Sequence, residues 1–340
     1  MDSQIRIATG ISYFGNRFPE HFINSDLPDI LAHNCSYVIH TMSEDDLEHY
    51  SESLHEMIKS TRDAGLEVYL DPWGLGGVFS GETFSNFLLH NVEAWQVDSN
   101  GARVPRACLN SLAFKTLMLR WLDTAVRLGA DVIFWDEPHL WHENLPSSNL
   151  ETWACRCSTC LELYKNQFGE TMPERMSPSV ASFRQQTIVD FLGSLCTYAK
   201  SSGVKNAICL LPFEDAAHGI LDWNQIAKIE GLDILGVTPF WSHRENQSFD
   251  DVRFFAKKLV SLTHFYKIEP QLWLQGFKIR SGDEQTLATV GKIALEEGIR
   301  NVAAWGFRGC HHMSAIRSER PEEVWRVIGD IFRELRAVPQ

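Results

Sequence analysis

Two carboxylates stand side by side at the end of a short apolar run. Asp136 and Glu137 directly follow residues 132–135, Val-Ile-Phe-Trp, a run typical of a buried strand. In acid–base catalysis one carboxyl group donates a proton while a second, ionised, attacks or activates water. The pattern predicts a catalytic group at this strand end, with Glu137 as general acid/base and Asp136 as a further participant.

The pKa of Glu137 is expected to be raised in the folded protein. A negative charge on Asp136 and an apolar wall from Trp135 or Trp141 would each disfavour the ionised form of Glu137. A structural alternative stays open, in which these acids only cap the turn that follows the strand.

A second carboxylate would be needed for hydrolysis, as a nucleophile or as a base. Asp71 lies in the segment Tyr-Leu-Asp-Pro-Trp-Gly, and Glu214 and Asp215 follow the segment Leu-Pro-Phe. Asp136 is the fourth candidate. The separation of the two carboxyl groups would distinguish direct attack from activation of water.

Three cysteines form a dense motif a short distance downstream. Cys155, Cys157 and Cys160 have the spacing Cys-x-Cys-x-x-Cys. Three thiolates at this spacing can surround a tetrahedral zinc ion at about 2.3 Å, and a fourth ligand from elsewhere would close a structural site. The alternative is three free thiols without a metal.

Composition and charge exclude several classes of partner. The chain has 340 residues, 44% of them hydrophobic, with a net charge of −13 and 8 cysteines. This charge disfavours nucleic acid and an anionic membrane, and suits a neutral small molecule or sugar. The start of the chain lacks a secretory pattern, and no apolar run reaches about 18 residues. We therefore expect a soluble, cytoplasmic protein.

Short apolar runs alternate with longer helical patterns along the chain. The predicted strands are Ile5–Tyr13, Cys35–Thr41, Glu67–Leu70, Asp131–Trp135, Asn206–Leu211, Ile234–Thr238, Gln271–Gln275 and Asn301–Trp305. The predicted helices are Asp45–Ala64, Ser111–Leu128, Val180–Ser201, Phe249–Phe265, Glu284–Glu297 and Pro321–Leu335.

A glycine recurs between the end of a predicted helix and the start of the next predicted strand. This pattern favours parallel β/α units. Eight such units predict an α/β fold of the TIM-barrel class, a single (β/α)8 domain over residues 1–340. Extended loops are expected after strands three and four, at 72–110 and 138–180, the second carrying the cysteines as a zinc-binding insertion. A doubly wound sheet is less favoured, because no Gly-x-Gly-x-x-Gly turn follows the first strand.

In a barrel of this class the active site lies where the strands end. Aromatic, amide and charged residues at these ends suit a sugar, whose C–H faces stack on rings while its hydroxyls bind polar groups. The predicted substrate-binding residues at these positions are Tyr13, His40, Trp73, Trp241, His243, Gln275, Lys278, Trp305 and Arg308. Arg308 and Lys278 raise the further prospect of an acidic sugar.

Several motifs of the first half of the chain occur in a characteristic order. They are Gly10-Ile-Ser-Tyr-Phe with Pro19-Glu20, then Cys108-Leu-Asn110-Ser, the acidic pair at 136–137, and the cysteine motif followed by an aromatic-rich helix. Over roughly residues 5–170 the chain thereby resembles the β-galactosidases of glycoside hydrolase family 42, a clan A family. The resemblance implies a barrel, a general acid/base at Glu137, Cys108 as the fourth metal ligand and Asn110 as a substrate-binding residue.

The chain departs from the family at two positions. Asp136 stands where the family has Asn, so a donor to a sugar hydroxyl is replaced by an acid. Gln275 stands where the resemblance calls for a nucleophilic Glu, and an amide cannot form a glycosyl ester. The second carboxylate must therefore lie elsewhere, or the protein inverts configuration, or it does not hydrolyse.

Other readings stay open beside the leading one, an exo-acting glycosidase on a short oligosaccharide or glycoside. One is a non-hydrolytic carbohydrate-binding relative, which Gln275 favours. Another is a barrel lyase or isomerase with His40, His243 or His312 as its base. A metal-dependent hydrolase is disfavoured, because the first strand has no His-x-His. Self-association into a homo-oligomer through the long loops is also open.

Overall fold

Eight parallel strands close into a barrel in the computed structural model, which describes residues 7–143, 152–241 and 248–337. Counted from the start of the chain, the hydrogen-bonded neighbours around the barrel follow the order 1-8-7-6-5-4-3-2. The predicted (β/α)8 fold class is therefore confirmed. The strands are β1 Ala8–Tyr13, β2 Tyr37–Thr41, β3 Glu67–Asp71, β4 Val132–Asp136, β5 Lys205–Leu210, β6 Ile234–Val237, β7 Glu269–Gln275 and β8 Asn301–Trp305.

Helices alternate with these strands and cover the outside of the barrel. They are α1 Pro19–His21, α2 Leu27–Ala32, α3 Glu44–His49, α4 Ser51–Asp63, α5 Asn86–His90, α6 Leu112–Leu128, α7 Ser158–Phe168, α8 Pro178–Ser201, α9 Trp223–Ala227, α10 Phe249–Tyr266, α11 Thr286–Glu296 and α12 Pro321–Ala337. Serine side chains cap several N-termini; Ser111, for example, accepts from the Phe114 N–H. The predicted helix Asp45–Ala64 is divided at Tyr50 into α3 and α4. Among the described residues, no helix is both long and apolar enough to cross a membrane.

The alternation of side chains along each strand separates two cores. Residues pointing into the barrel, among them Tyr69, Phe134 and Trp273, form one buried cluster. Residues pointing outward, such as Trp135 and Leu272, pack against the helices in a second, larger cluster. Each strand side chain therefore faces either the barrel interior or the surrounding helices.

Polar residues fill the lower part of the barrel as a hydrogen-bonded group. The Tyr37 hydroxyl donates to Asn301 Oδ1 at 2.6 Å, and Gln271 Nε2 donates to the Tyr37 hydroxyl at 3.0 Å. Trp273 Nε1 in turn donates to Gln271 Oε1 at 2.8 Å. This group closes the barrel from below, so access is from the end at which the strands terminate.

The long loops after β3 and β4 are held by buried charged side chains. Glu44 accepts hydrogen bonds from Gly76 N, Ser85 Oγ and Phe87 N at 3.1, 2.6 and 2.6 Å, all on the loop after β3. Arg184 of α8 donates to the carbonyl of Ala154 at 2.6 Å in the loop after β4. These contacts hold the loop segments that carry them, and Leu75, Phe79 and Leu88 of the loop after β3 also pack in the main core.

Candidate active site

A cavity of about 310 Å³ opens at the carboxyl ends of the strands. Its lining combines carboxylates with aromatic rings, which is the composition predicted for this end of the barrel. The lining residues are Ser12, Asp71, Trp73, Ser80, Gly81, Glu82, Phe134, Asp136, Glu137, Thr238, Phe240, Trp273, Phe277, Lys278, Trp305 and Ile316.

Two hydroxyl groups orient the carboxylate of Glu137. Ser80 Oγ donates to Glu137 Oε2 at 2.9 Å, and Thr238 Oγ1 donates to Oε1 at 2.6 Å. The backbone of Glu137 is left-handed, with φ +43°, so the chain turns sharply after β4. His139 Nδ1 lies 2.7 Å from the Glu137 carbonyl oxygen and supports this turn.

Asp71 and Asp136 are two carboxyl groups of the cavity whose pKa is raised. Burial raises the pKa of both groups well above the usual range, and the charges of Glu137 and Glu82 add to the effect. Asp71 is 1% exposed, and its Oδ1 has no hydrogen-bond partner among the residues that the structure describes. Burial thus favours the protonated, neutral form of each group.

Neither Trp135 nor Trp141 supplies the apolar wall that was predicted beside Glu137. Trp135 points outward, where its Nε1 donates to Asn206 Oδ1 at 3.1 Å. Trp141 packs with the cysteine-rich segment instead of the cavity. Asp136 is the last inward-facing residue of β4, and Glu137 follows it in the turn after the strand.

Aromatic rings form one wall of the cavity. Trp73 and Trp305 are stacked, with ring centroids 4.9 Å apart and an interplanar angle of 26°. Phe14 lies against Trp305 at 4.9 Å, and Trp273 lies against Phe134 at 4.9 Å deeper in the barrel. The structure thus brings the predicted residues Trp73, Trp305 and Lys278 to the same cavity as Glu137.

Tyr13 and His40, predicted to bind substrate, lie instead on the outer face of the barrel. The Tyr13 hydroxyl donates to Asp26 Oδ2 at 2.7 Å, and His40 Nε2 lies 3.0 Å from Thr61 Oγ1. Burial lowers the pKa of His40 to about 3. Side chains alternate along a strand, so it is the neighbouring Ser12 that faces the cavity.

Residues predicted after β5 and β6 are also directed away from the cavity. Glu214 pairs with Lys258 and accepts from Trp223 N at 2.8 Å. Asp215 binds His218 at 2.8 Å. Trp241 is buried against Phe249 in the outer core. His243 lies outside the described residues.

Three further predicted residues have structural partners. Gln275 is fully buried and donates from Nε2 to the Phe277 carbonyl at 3.0 Å. Arg308 pairs with Asp29 at 2.7 Å, outside the barrel. Asn110 donates to Cys160 Sγ at 3.4 Å. None of the three is among the described residues that line the cavity.

Sequence reasoning missed Ser80, Glu82 and Thr238. Ser80 and Glu82 belong to a glycine-rich segment after β3, with Gly74, Gly76, Gly77 and Gly81 all at positive φ. That concentration of glycine was the available signal, because a backbone with several left-handed residues folds tightly. Thr238 ends a predicted strand but lacks the acid, amide or ring that would mark it as a site residue.

Four cysteines meet in a second, separate cluster. The sulfur atoms of Cys108, Cys155, Cys157 and Cys160 all lie within 4.8 Å of one another. Cys108 Sγ is 3.5 Å from Cys160 Sγ and 3.5 Å from Cys157 Sγ. Tetrahedral ligation with bonds of about 2.3 Å would separate sulfurs by roughly 3.8 Å. The four thiols therefore fit a metal ion, and Cys108 occupies the predicted fourth position.

Three imidazoles lie beside the turn that carries Glu137. His142 and His218 have ring centroids 4.3 Å apart, and His139 lies 6.2 Å from His218. Burial lowers the pKa of His139 to about 3 and that of His142 to about 4. The His139 and His142 rings are therefore neutral near pH 7, and all three rings pack beside the turn after β4.

The fold is shared with known glycoside hydrolases, at very low sequence identity. No protein-family model matches the chain, and no curated protein is similar to it in sequence. A β-galactosidase from Bacillus circulans sp. alkalophilus superposes with a TM-score of 0.72 and 11% identity, covering 98% of this chain and 56% of that one. The chain therefore spans little more than half the length of that relative.

Two other solved structures resemble the chain over most of their length. An endo-1,4-β-mannanase from Rhizomucor miehei has a TM-score of 0.61 and 10% identity, covering 98% of this chain and 97% of that one. A GH5_18 protein from Streptomyces cattleya, solved in complex with GlcNAc, has a TM-score of 0.60 and 11% identity, covering 98% and 82%. Identities at this level show the barrel fold alone.

Proposed function

We propose that this chain is a glycoside hydrolase with Glu137 as its general acid/base. The observation that carries the proposal is the Glu137 carboxylate itself, held by Ser80 and Thr238 in a cavity at the catalytic end of the barrel. Proton transfer to a departing oxygen needs a carboxyl group with a fixed orientation. The two hydroxyl contacts supply that orientation.

The aromatic wall supports a sugar as the ligand. A pyranose presents flat C–H faces that stack on indole rings, and Trp73 and Trp305 offer such a surface beside Glu137. A cavity of about 310 Å³ suits one sugar ring and part of another group. We infer a short oligosaccharide or a glycoside as the substrate.

Asp71 and Asp136 act in this proposal as neutral hydrogen-bonding groups. A protonated carboxyl can donate to a sugar hydroxyl and accept from another, so these two acids can orient the ring in place of amides. Asp136 thereby regains the donor that the family has in Asn at this position. No described residue donates a hydrogen bond to the buried Oδ1 atom of Asp71.

A non-hydrolytic carbohydrate-binding protein is the second candidate. Gln275 favours it, because a buried amide stands where a nucleophile is expected from the resemblance. This candidate predicts that sugars bind in the cavity without turnover, and that Glu137→Gln leaves their affinity within a few-fold of the wild type.

The proposal is tested with α- and β-nitrophenyl glycosides and short oligosaccharides, uronic acids included. The wild type is compared with Glu137→Gln and with Glu174→Gln, an exposed control outside the cavity. A loss of about 10²–10⁴-fold in kcat for Glu137→Gln alone supports a glycosidase. Sugar binding without turnover in the wild type would contradict it and favour the second candidate.

We further propose that the four-cysteine cluster holds a structural zinc ion. Soft thiolates suit zinc, and a site closed by four protein ligands has no open position for a substrate. Cys155, Cys157 and Cys160 belong to the loop after β4, and Cys108 belongs to the loop after β3. Zinc would join these two loops and would supply no step of the reaction.

A further inference from the structure

The described cavity holds a fourth carboxylate besides Asp71, Asp136 and Glu137. Glu82 lines the cavity, yet it belongs to no strand end. Asp71 ends β3 and Asp136 and Glu137 lie at the end of β4, and these two strands are neighbours in the barrel. Three of the four acids therefore lie at the ends of two adjacent strands, β3 and β4, whereas Glu82 lies on the loop after β3.

The loop that carries Glu82 is joined to the catalytic turn. Ser80 N donates to the Asp136 carbonyl at 3.2 Å, and Ser80 Oγ donates to Glu137 Oε2 at 2.9 Å. The Ser80 carbonyl accepts from Gly74 N at 3.0 Å, which closes the loop on itself. Ser80 is therefore anchored to the turn that carries Glu137, and Glu82 follows Ser80 by two residues.

Gly81 allows the chain to pass from Ser80 to Glu82. Its φ is +149°, and a Cβ atom at this position would lie 2.6 Å from Gly74 N and 2.8 Å from the Trp73 ring. Both distances are far below van der Waals contact, so only glycine fits. The loop thus runs directly across Trp73, and Glu82 follows at the cavity mouth.

Glu82 and Lys278 line the same cavity, so the loop after β3 and the segment after β7 both reach it. Desolvation and the charge of Glu137 raise the pKa of Glu82, and the ammonium of Lys278 opposes this rise. Glu82 therefore faces the same space as a residue that follows β7, the strand that ends in Gln275.

We propose that Glu82 is the second catalytic carboxylate of this site, acting at the anomeric carbon while Glu137 protonates the leaving group. The inference rests on the proposed glycosidase function. The loop after β3 would thereby supply the group that an amide replaces at the end of β7. Trp73 and Trp305 would hold the sugar ring between the two carboxyl groups.

The proton and bond changes balance with these two residues. In direct attack, a Glu82 oxygen bonds to the anomeric carbon as the glycosidic bond breaks, and the departing oxygen takes the Glu137 proton. Water then displaces Glu82 and gives a proton to Glu137, which restores both groups. In single displacement, water bonds to the anomeric carbon and gives its proton to Glu82, while Glu137 protonates the departing oxygen.

The test compares Glu82→Gln and Glu82→Ala with Glu137→Gln on two substrates of one sugar found active with the wild type. One aglycone is 2,4-dinitrophenol, which leaves without protonation, and the other is a poor leaving group. Loss of Glu82 should lower kcat/KM by about 10²–10⁴-fold for both substrates. Glu137→Gln should lower kcat/KM mainly for the poor leaving group, because kcat/KM reports the step in which the glycosidic bond breaks. Sodium azide should restore turnover to Glu82→Ala by occupying the space of the missing carboxylate.

Glu93→Gln is the matched control, because Glu93 is an exposed carboxylate on the same long loop outside the cavity lining. Melting temperature and sugar affinity of each variant check that the fold and the cavity are retained. Wild-type kcat in Glu82→Gln would overturn this inference and leave the proposed function standing. Azide rescue of Asp71→Ala or Asp136→Ala in place of Glu82→Ala would also overturn it. Absence of turnover in the wild type would overturn both proposals.

Discussion

Thr238 donates a hydrogen bond of 2.6 Å from its Oγ1 to Oε1 of Glu137, joining the end of β6 to the turn after β4. A hydroxyl has one proton, and its other acceptor within reach, the Leu210 carbonyl, lies farther away at 3.4 Å. The proton is therefore directed at Glu137. This contact sets the orientation of the carboxylate from across β5.

Thr238→Val should reduce catalysis by removing that donor while keeping the shape of the side chain. A hydrogen bond to a charged group contributes about 1.5–3 kcal/mol, which corresponds to a fall of roughly tenfold to a hundredfold in kcat/KM. Thr238→Ser keeps the hydroxyl and should retain most of the activity. A smaller loss in Thr238→Val than in Thr238→Ser would show that the methyl group matters instead of the hydrogen bond.

Gly81→Ala should abolish most activity with only a modest change in melting temperature. The new Cβ would have to displace Gly74 N or the Trp73 ring, and either shift moves Glu82 away from the site. Gly101→Ala is the control, because Gly101 also has a positive φ, +86°, but a Cβ there meets nothing within 4 Å. Steady-state kinetics and thermal unfolding of both variants test this, and unchanged kcat in Gly81→Ala would contradict it.

The stability of the Asp71→Asn variant should increase relative to that of the wild type as the pH rises. The folded state keeps the Asp71 proton above the ordinary aspartate pKa of about 4, where the unfolded chain loses it, so wild-type stability falls as pH rises through the raised pKa. Asn binds no proton and removes this dependence. Relative to the wild type, the melting temperature should rise by roughly 2–4 °C between pH 4 and pH 7. A difference that does not change with pH would mean that Asp71 is ionised in the folded protein.

Cys157→Ser should remove the bound metal and loosen the loops after β3 and β4. Elemental analysis should find about one zinc per wild-type chain and much less in the variant, and the melting temperature should fall. Cys35→Ala changes a buried cysteine outside the cluster and should keep the metal. Equal metal content in the wild type and Cys157→Ser would contradict a four-cysteine zinc site.

The architecture could be predicted from the sequence because each β/α unit carries its own local signals. An apolar run such as residues 132–135 is too short for a helix, and Gly129 before it is left-handed at the end of α6, as a helix C-cap requires. Boundaries were less accurate: β4 spans Val132–Asp136 instead of the predicted Asp131–Trp135. Hydrogen bonding to neighbouring strands decides where a strand begins, and a single segment does not contain that information.

The site could be predicted only where a residue type and its strand position agree. Asp71 and Trp73 belong to the segment that ends β3, and the sequence identified both. The prediction that Tyr13 and His40 bind substrate was wrong, because a shift of one position along a strand moves a side chain from the barrel interior to the helical layer. Glu82 was missed because its position depends on a loop conformation, on contacts with Asp136 and on the space beside Trp73, none of which follows from local sequence.

Gln275→Glu tests whether the end of β7 can serve as the second carboxylate. Gln275 is fully buried, and its Nε2 donates to the Phe277 carbonyl at 3.0 Å. A carboxylate cannot make that donation and would be buried near the acids of the cavity, which costs about 1–3 kcal/mol or more. We therefore expect a lower melting temperature and no gain in turnover.

Gln285→Glu is the matched control for this substitution, because Gln285 is exposed at the start of α11 and should tolerate the charge. Both variants are measured with the same glycosides as the wild type. A gain in turnover for Gln275→Glu, above all in a Glu82→Gln background, would return the second carboxylate to β7. Continued dependence on Glu82 in both backgrounds would assign that role to the loop after β3.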